Sequence, residues 1–263
     1  MDATAAARLG RTDDVDGLAV YEMYRGAARS VVCVHGGLDR ATSFSRLARR
    51  LPDTHLVAYD RRGYQGSRPL GPGTLLDHAT DLAHVVAERA PGAVVLGHSF
   101  GGLVALVAGV LNPGQFTGIV CYESPVPWLV PRPHSSAPDP SDPAGEAERF
   151  FQRVVSKEAW QRLRPDERES RHLDGPALVS DLLILGDSRP PVDLATLRIP
   201  ALYAFGDGPA ERYYERLATE LEATGANVRH RHVPGVGHGI HLSHPQMLAD
   251  LLRGYLDPQV TVV

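Results

Sequence analysis

One ten-residue stretch, AVVLGHSFGG at positions 93–102, constrains this chain more than any other. Ala93, Val94, Val95 and Leu96 form a short apolar run that reads as a buried strand. It enters Gly97-His98-Ser99-Phe100-Gly101 and continues as LVALVAGVL, an apolar helical run. Strand, sharp turn and helix around G-x-S-x-G are the context of a nucleophile elbow. The serine must take a strained backbone conformation at the strand end, so the positions two before and two after it tolerate almost no side chain. Gly97 and Gly101 meet that need, and Gly102 lets the helix pack close. Ser99 then stands above the sheet at a helix N-terminus, whose partial positive charge favours developing negative charge.

The flanking sequence supplies the rest of such a sheet. Residues 18–24 (LAVYEMY) alternate and follow Asp16-Gly17, as in an early strand or hairpin arm. Residues 30–35 (SVVCVH) are a β-branched run suited to a strand buried on both faces, ending in His35-Gly36-Gly37-Leu38-Asp39. Phe44, Leu47, Ala48 and Leu51 place a helix over residues 43–51. A strand at 55–60 stops at Asp60-Arg61-Arg62-Gly63, and an amphipathic helix is expected over 74–89. After the elbow, residues 116–123 (FTGIVCYE) read as another buried strand. Strands alternating with helices at this spacing imply βαβ units and a parallel sheet.

The pattern changes at residue 124. Residues 124–145 are proline-rich and cannot sustain regular structure. Helices are expected over 146–163 and 176–185, carrying too many large apolar residues for a disordered linker. Residues 124–193 therefore read as an inserted helical lid on a core made of residues 1–123 and 194–263. The α/β pattern resumes with a strand at 200–206, a helix at 209–223, a strand at 228–233, Val236-Gly237-His238-Gly239 and a helix at 244–255.

With 263 residues and a formal net charge of −4, the chain can bury a full core and has no basic bias toward nucleic acid or anionic membranes. No apolar run approaches the roughly 20 residues that span a bilayer. Residues 1–7 read as a short frayed tail, and a cytoplasmic location is expected. Cys33 and Cys121 both fall inside strands expected to be buried. They read as small apolar fillers.

Taken in order, His35-Gly36-Gly37, Asp60-Arg61-Arg62-Gly63, Gly97-His98-Ser99-Phe100-Gly101-Gly102 and Gly237-His238 resemble the α/β-hydrolase superfamily over nearly the whole chain. Tyr122-Glu123-Ser124-Pro125 resembles a bacterial subgroup with a Tyr-Glu-Pro-Pro-like segment there. The resemblance implies an α/β-hydrolase fold: a mostly parallel central sheet flanked by helices, with the helical lid inserted.

Ser99 would attack a carbonyl carbon, and its weakly nucleophilic hydroxyl needs a base within hydrogen-bond reach. His238 follows a strand and a Gly-Val-Gly turn and matches the family's C-terminal histidine. His241 and His244 are rivals beside the next helix. His238, His241 and His244 lack a carboxylate or cysteine partner and the i, i+4 spacing of a zinc helix, so no metal is expected. His230 and His232 read as surface histidines. Two backbone N–H groups, from Gly37 and Phe100, would form the oxyanion hole, with Leu38 as the fallback for Gly37. The acid departs from the usual pattern: Gly206-Asp207-Gly208-Pro209 puts proline where the family's aspartate is expected. Glu123, ending the strand beside the elbow strand, is preferred over Asp207. Asp60 and the arginines after it read as loop braces.

The expectation is a cofactor-free serine hydrolase acting on an ester-like bond of a small, moderately apolar molecule. Leu38, Trp128, Phe150, Phe151 and Trp160 are candidate substrate-binding residues, though packing of the lid onto the sheet explains each one equally well. The alternatives are a cyclase, acyltransferase or lyase on the same scaffold, or a non-catalytic small-molecule receptor. The absence of an aspartate in place of Ser99 excludes haloalkane dehalogenase and epoxide hydrolase chemistry, and no nucleotide-binding fingerprint is present.

Overall fold

The computed structural model describes residues 8–132 and 137–256, so the expected tail at 1–7 lies outside the described residues. Among the described residues, β1 (Gly10–Arg11), β2 (Val20–Met23), β3 (Arg29–Val34), β4 (Thr54–Tyr59), β5 (Val94–His98), β6 (Gly118–Tyr122), β7 (Ala201–Gly206) and β8 (Val228–Val233) form one sheet in the order β1-β2-β4-β3-β5-β6-β7-β8. β1 and β2 form an antiparallel pair, β2 is antiparallel to β4, and every later pairing is parallel.

The apolar runs explain the two covered faces. Side chains alternate along a strand, and β3 sends Val32 and Val34 into one cluster and Val31 and Cys33 into the other. The first cluster packs under α2 (Leu75–Arg89), α3 (Phe100–Leu111) and α8 (Glu211–Ala223). The second packs under α1 (Ser45–Ala48), α9 (Ile240–Ser243) and α10 (Pro245–Leu256). Cys33 and Cys121 are buried and free, with β5 between their strands.

Among the described residues, four α-helices lie between β6 and β7: α4 (Pro143–Val154), α5 (Lys157–Arg162), α6 (Pro165–Leu173) and α7 (Gly175–Gly186). The single helix expected over 146–163 is two. Ser156 is extended (φ −179°, ψ 161°) and its side chain accepts from the Ala159 N–H, so it caps a new helix instead of continuing the old one. The helix expected over 43–51 is a 3-10 turn (Ala41–Phe44) followed by the single turn of α1. The expected helix at 244–255 is α10, opened by Pro245, and a further single turn, α9, precedes it.

Candidate active site

The parallel strands end together beneath one cavity. β5 and β6 are paired up to His98 and Tyr122, so the next residues, Ser99 and Glu123, sit at neighbouring strand tips. Both have left-handed backbones (φ 54° and 46°), as does Leu38 in the loop after β3 (φ 54°). Such non-glycine conformations cost about 1–3 kcal/mol each and persist only where the surroundings impose them. At Ser99 the surroundings are explicit: its N–H donates to Tyr122 O (2.9 Å) and its carbonyl accepts from Gly102 N–H (2.9 Å). A Cβ on Gly97 would lie 2.3 Å from Gly102 Cα, and one on Gly101 would lie 2.1 Å from Val34 O. These glycines are therefore required by close backbone approach.

His238 Nδ1–H donates to Glu123 Oε2 at 2.7 Å, which leaves Nε2 with a free lone pair. The other carboxylate oxygen of Glu123 accepts from Gly206 N–H (3.1 Å), fixing its orientation, and its side chain is only 5% exposed. The Tyr214 ring stacks parallel to His238, with centroids 6.4 Å apart. Tyr122 Oη–H donates to Gly237 O, holding the turn that delivers His238 (3.2 Å).

Asp207 is not the carboxylate in contact with His238. It is half exposed, accepts from Gly235 N–H (2.6 Å), and pairs with His232 (2.8 Å), so it braces the turn after β8. His230 is likewise engaged at the surface, by Glu222. His244 is exposed and hydrogen-bonded to Ser243, whereas His241 is buried behind His238.

The loop of Gly36 and Gly37 reaches over Ser99. A Cβ on Gly36 would come within 2.9 Å of Ser99 Cβ. Phe100 opens α3, where the first N–H groups lack intrahelical acceptors. A buried arginine braces this loop from below. Arg61 Nε–H donates to His35 O (2.9 Å), Nη2–H to Gly36 O (3.2 Å), and its backbone N–H to His35 Nε2 (2.9 Å). His35 Nδ1–H donates to Gly36 O (2.8 Å), so the ring is neutral; burial and then Arg61 lower its pKa to about 3. The Arg61 charge is met by Asp181 of α7 (2.5 and 3.1 Å), which also accepts from Tyr64 Oη–H (2.6 Å). Sequence reasoning placed Arg61 as a brace but missed Asp181, because nothing local links residues 120 positions apart.

The cavity measures about 380 Å³, a volume suited to a small molecule. Ser99, His238, Glu123, Gly37 and Phe100 line one end, and Phe150, Val154, Leu178, Leu182 and Leu185 form an apolar wall. Of the side chains expected to bind substrate, only Phe150 lines this cavity. Leu38, Phe151 and Trp160 turn into a separate cluster with Ala147 and Leu178, because they are the buried face of α4 and α5 against the loop after β3. Trp128 packs against the core and lines a different depression, beside Thr74 and Ile184. Arg132 and Arg153 at the cavity wall carried no sequence signal.

Residues 31–251 match the family model described as "Alpha/beta hydrolase family". Among curated proteins, the chain is 33% identical over 102 residues to Lipase LipV of Mycobacterium tuberculosis, covering 38% of this chain but only 39% of that lipase. It is 26% identical to a pimeloyl-(acyl-carrier protein) methyl ester esterase of Serratia marcescens, over 87% of this chain and 94% of that one. Among solved structures, an esterase from Exiguobacterium antarcticum superposes with a TM-score of 0.71 at 18% identity, covering 94% of this chain and 98% of the esterase. An alpha/beta hydrolase from Sphaerobacter thermophilus gives 0.69 at 23% identity, with 94% and 100% covered. The order of strands, the elbow between β5 and α3, and the match over residues 31–251 agree: this chain belongs to the alpha/beta hydrolase family.

Proposed function

We propose that the protein is a serine ester hydrolase in which Ser99, His238 and Glu123 act as nucleophile, base and acid. The observation that carries the reading is the 2.7 Å contact between His238 Nδ1 and Glu123, in a cavity that also holds Ser99 at a strained strand tip. The relatives described as esterases and a lipase support the same class of reaction.

Ser99 Oγ attacks the ester carbonyl while His238 Nε2 takes its proton. Glu123 holds the imidazole in the required tautomer and stabilises its cation. The N–H groups of Gly37 and Phe100 receive the oxyanion; each such donor is worth about 3–4 kcal/mol in the transition state. His238 then protonates the leaving alcohol, and water releases the acid by the same steps reversed. No cofactor is required. The α4–α7 segment acts as the lid, and its apolar wall favours a small ester with an aliphatic or aromatic part beside Phe150 and Leu182.

The test is a panel of short p-nitrophenyl esters and lactones together with a fluorophosphonate label. Ser99→Ala is expected to abolish both turnover and labelling. Glu123→Gln is expected to lower kcat by several orders of magnitude, about 10⁴-fold where an acid variant leaves the wrong tautomer. Asp207→Asn should stay close to wild type. Loss of activity in Asp207→Asn with retention in Glu123→Gln would reverse the assignment of the acid. An inert wild type that resists the label would overturn the hydrolase reading.

A further inference from the structure

Directly behind His238 lie three side chains that the hydrolytic mechanism does not use: Asp39, His98 and His241. Each offers an atom within 4.8 Å of the other two, and they come from the loop after β3, the last residue of β5 and the short helix α9. His98 and His241 are 5% and 2% exposed, with ring centroids 4.3 Å apart. His98 Nε2 sits 2.7 Å from the carbonyl oxygen of His238 and must donate to it. That contact fixes the tautomer and leaves Nδ1 as a buried lone pair with no hydrogen-bond partner. His241 Nε2 is 3.2 Å from Asp39 Oδ2, yet misaligned for a hydrogen bond, and neither nitrogen of His241 has a hydrogen-bond partner.

Two imidazoles and one carboxylate, with an outer nitrogen tied to a backbone carbonyl, is the donor arrangement that transition metals favour. The second nitrogen of a metal-bound histidine almost always donates to a carbonyl or carboxylate. Zinc takes nitrogen at about 2.0–2.1 Å and carboxylate oxygen at about 2.0–2.2 Å, which puts tetrahedral donors roughly 3.2–3.5 Å apart. The 3.2 Å separation of Asp39 and His241 already meets this, and the His98 ring has only to close the remaining gap. The Asp39 side chain is 22% exposed, which provides a route from solvent.

We propose that Asp39, His98 and His241 form a site for one divalent transition-metal ion, with Zn²⁺ the best-matched ion and water completing its shell. Asp39 lies two residues after Gly37, His98 immediately before Ser99, and His241 three residues after His238. A bound ion would cross-link the loop after β3, the end of β5 and α9 from behind without entering the substrate cavity. Closing of His98 onto the ion moves the ring that holds the His238 carbonyl, so Zn²⁺ lowers kcat more than it raises KM.

The test is titration of the metal-free full-length protein with Co²⁺ followed by visible absorption, and with Zn²⁺ followed by calorimetry and thermal melting. Wild type is expected to bind one ion with the intense bands of a low-coordinate Co²⁺ site and to melt at higher temperature. Asp39→Asn and His241→Phe should weaken that binding by more than the roughly 10–100-fold typical of losing an outer-sphere partner. Glu123→Gln should retain the ion, as should a variant of the surface cluster of Asp207, Glu211 and His232, Asp207→Asn. If His241→Phe fails to fold, the partly exposed Asp39→Asn carries the comparison. No saturable site in wild type overturns the proposal, as does binding that survives in Asp39→Asn or vanishes only in Asp207→Asn or Glu123→Gln.

Discussion

The sheet and the α4–α7 segment are held by different forces. Around β3 and β5, nearly every side chain is apolar and fully buried, and the backbone is paired on both sides. The α4–α7 segment has one small apolar cluster of its own, packs Ile184 and Leu185 against the core, and is further fastened by buried and part-buried polar contacts. Asp181 meets Arg61 and Tyr64; Asp174 accepts from Gln65 and Arg68; Ser180 Oγ–H donates to Gly73 O. All of these reach the single stretch between β4 and α2. The sheet is thus fixed by pattern, which any similar apolar sequence could satisfy. The segment above it depends in addition on a few specific charges, and the same Arg61 that holds it also braces the Gly36 loop.

The comparison breaks most visibly at Asp181. Asp181→Ala leaves the fully buried Arg61 guanidinium without its counter-charge, and uncompensated buried charges cost about 3–5 kcal/mol. Urea unfolding should show that loss, and hydrogen exchange should locate the first opening in α7 and the 61–73 stretch. Opening that starts in β3 or β5 would show that the junction does not behave as a separate unit.

Acid provides a graded version of the same experiment. Burial, assisted by Arg61, lowers the pKa of His35 to about 3, and it holds His78 and His98 well below their usual value. These groups bind protons in the unfolded chain before they do so in the folded one. Their stabilisation is therefore complete above about pH 6.5 and is lost as pH falls toward the folded values. His35 alone should cost about 2 kcal/mol at about pH 5. Because His78 lies 3.6 Å from Asp181 and against Arg61, the junction should loosen before the sheet does. A urea midpoint that stays flat from about pH 7 to about pH 5 would contradict this.

The smallest effect sharpens the contrast from the other side. Thr74 and Asp77 close a reciprocal capping box at the start of α2, outside the junction. Thr74→Ala should cost about 1 kcal/mol, seen as a lower urea midpoint with exchange in α7 unchanged.

How much of this was legible in the sequence follows the same division. Local apolar runs located β3 and β7 to within a residue and β5 to within two, the expected strand at 228–233 is β8 although its middle residues are polar, and the glycines around Ser99 announced the elbow. Helix α6 left no signal: its residues PDERESRHL have no buried face, so there was no period to read. The two-residue β1 was too short to register. Glu123 was legible as a candidate only through its place at a strand end. Its left-handed backbone and the turning of Asp207 toward His232 come from packing at the sheet tips. The aromatic residues failed as guides to the cavity because aromatic content reports burial, and Phe151 and Trp160 are buried against each other (5.4 Å between centroids).

The position of Glu123 has a consequence for how such a protein can change. With Glu123, just after β6, in contact with His238, the connection after β7 need not present a carboxylate to that histidine. Asp207, Gly208, Pro209 and Ala210 nevertheless line the cavity. Replacements at Gly208, Pro209 and Ala210 can redraw the rim that incoming molecules meet while Ser99, Glu123 and His238 keep their places. A lineage built this way can explore new substrates along one loop without renegotiating its chemistry.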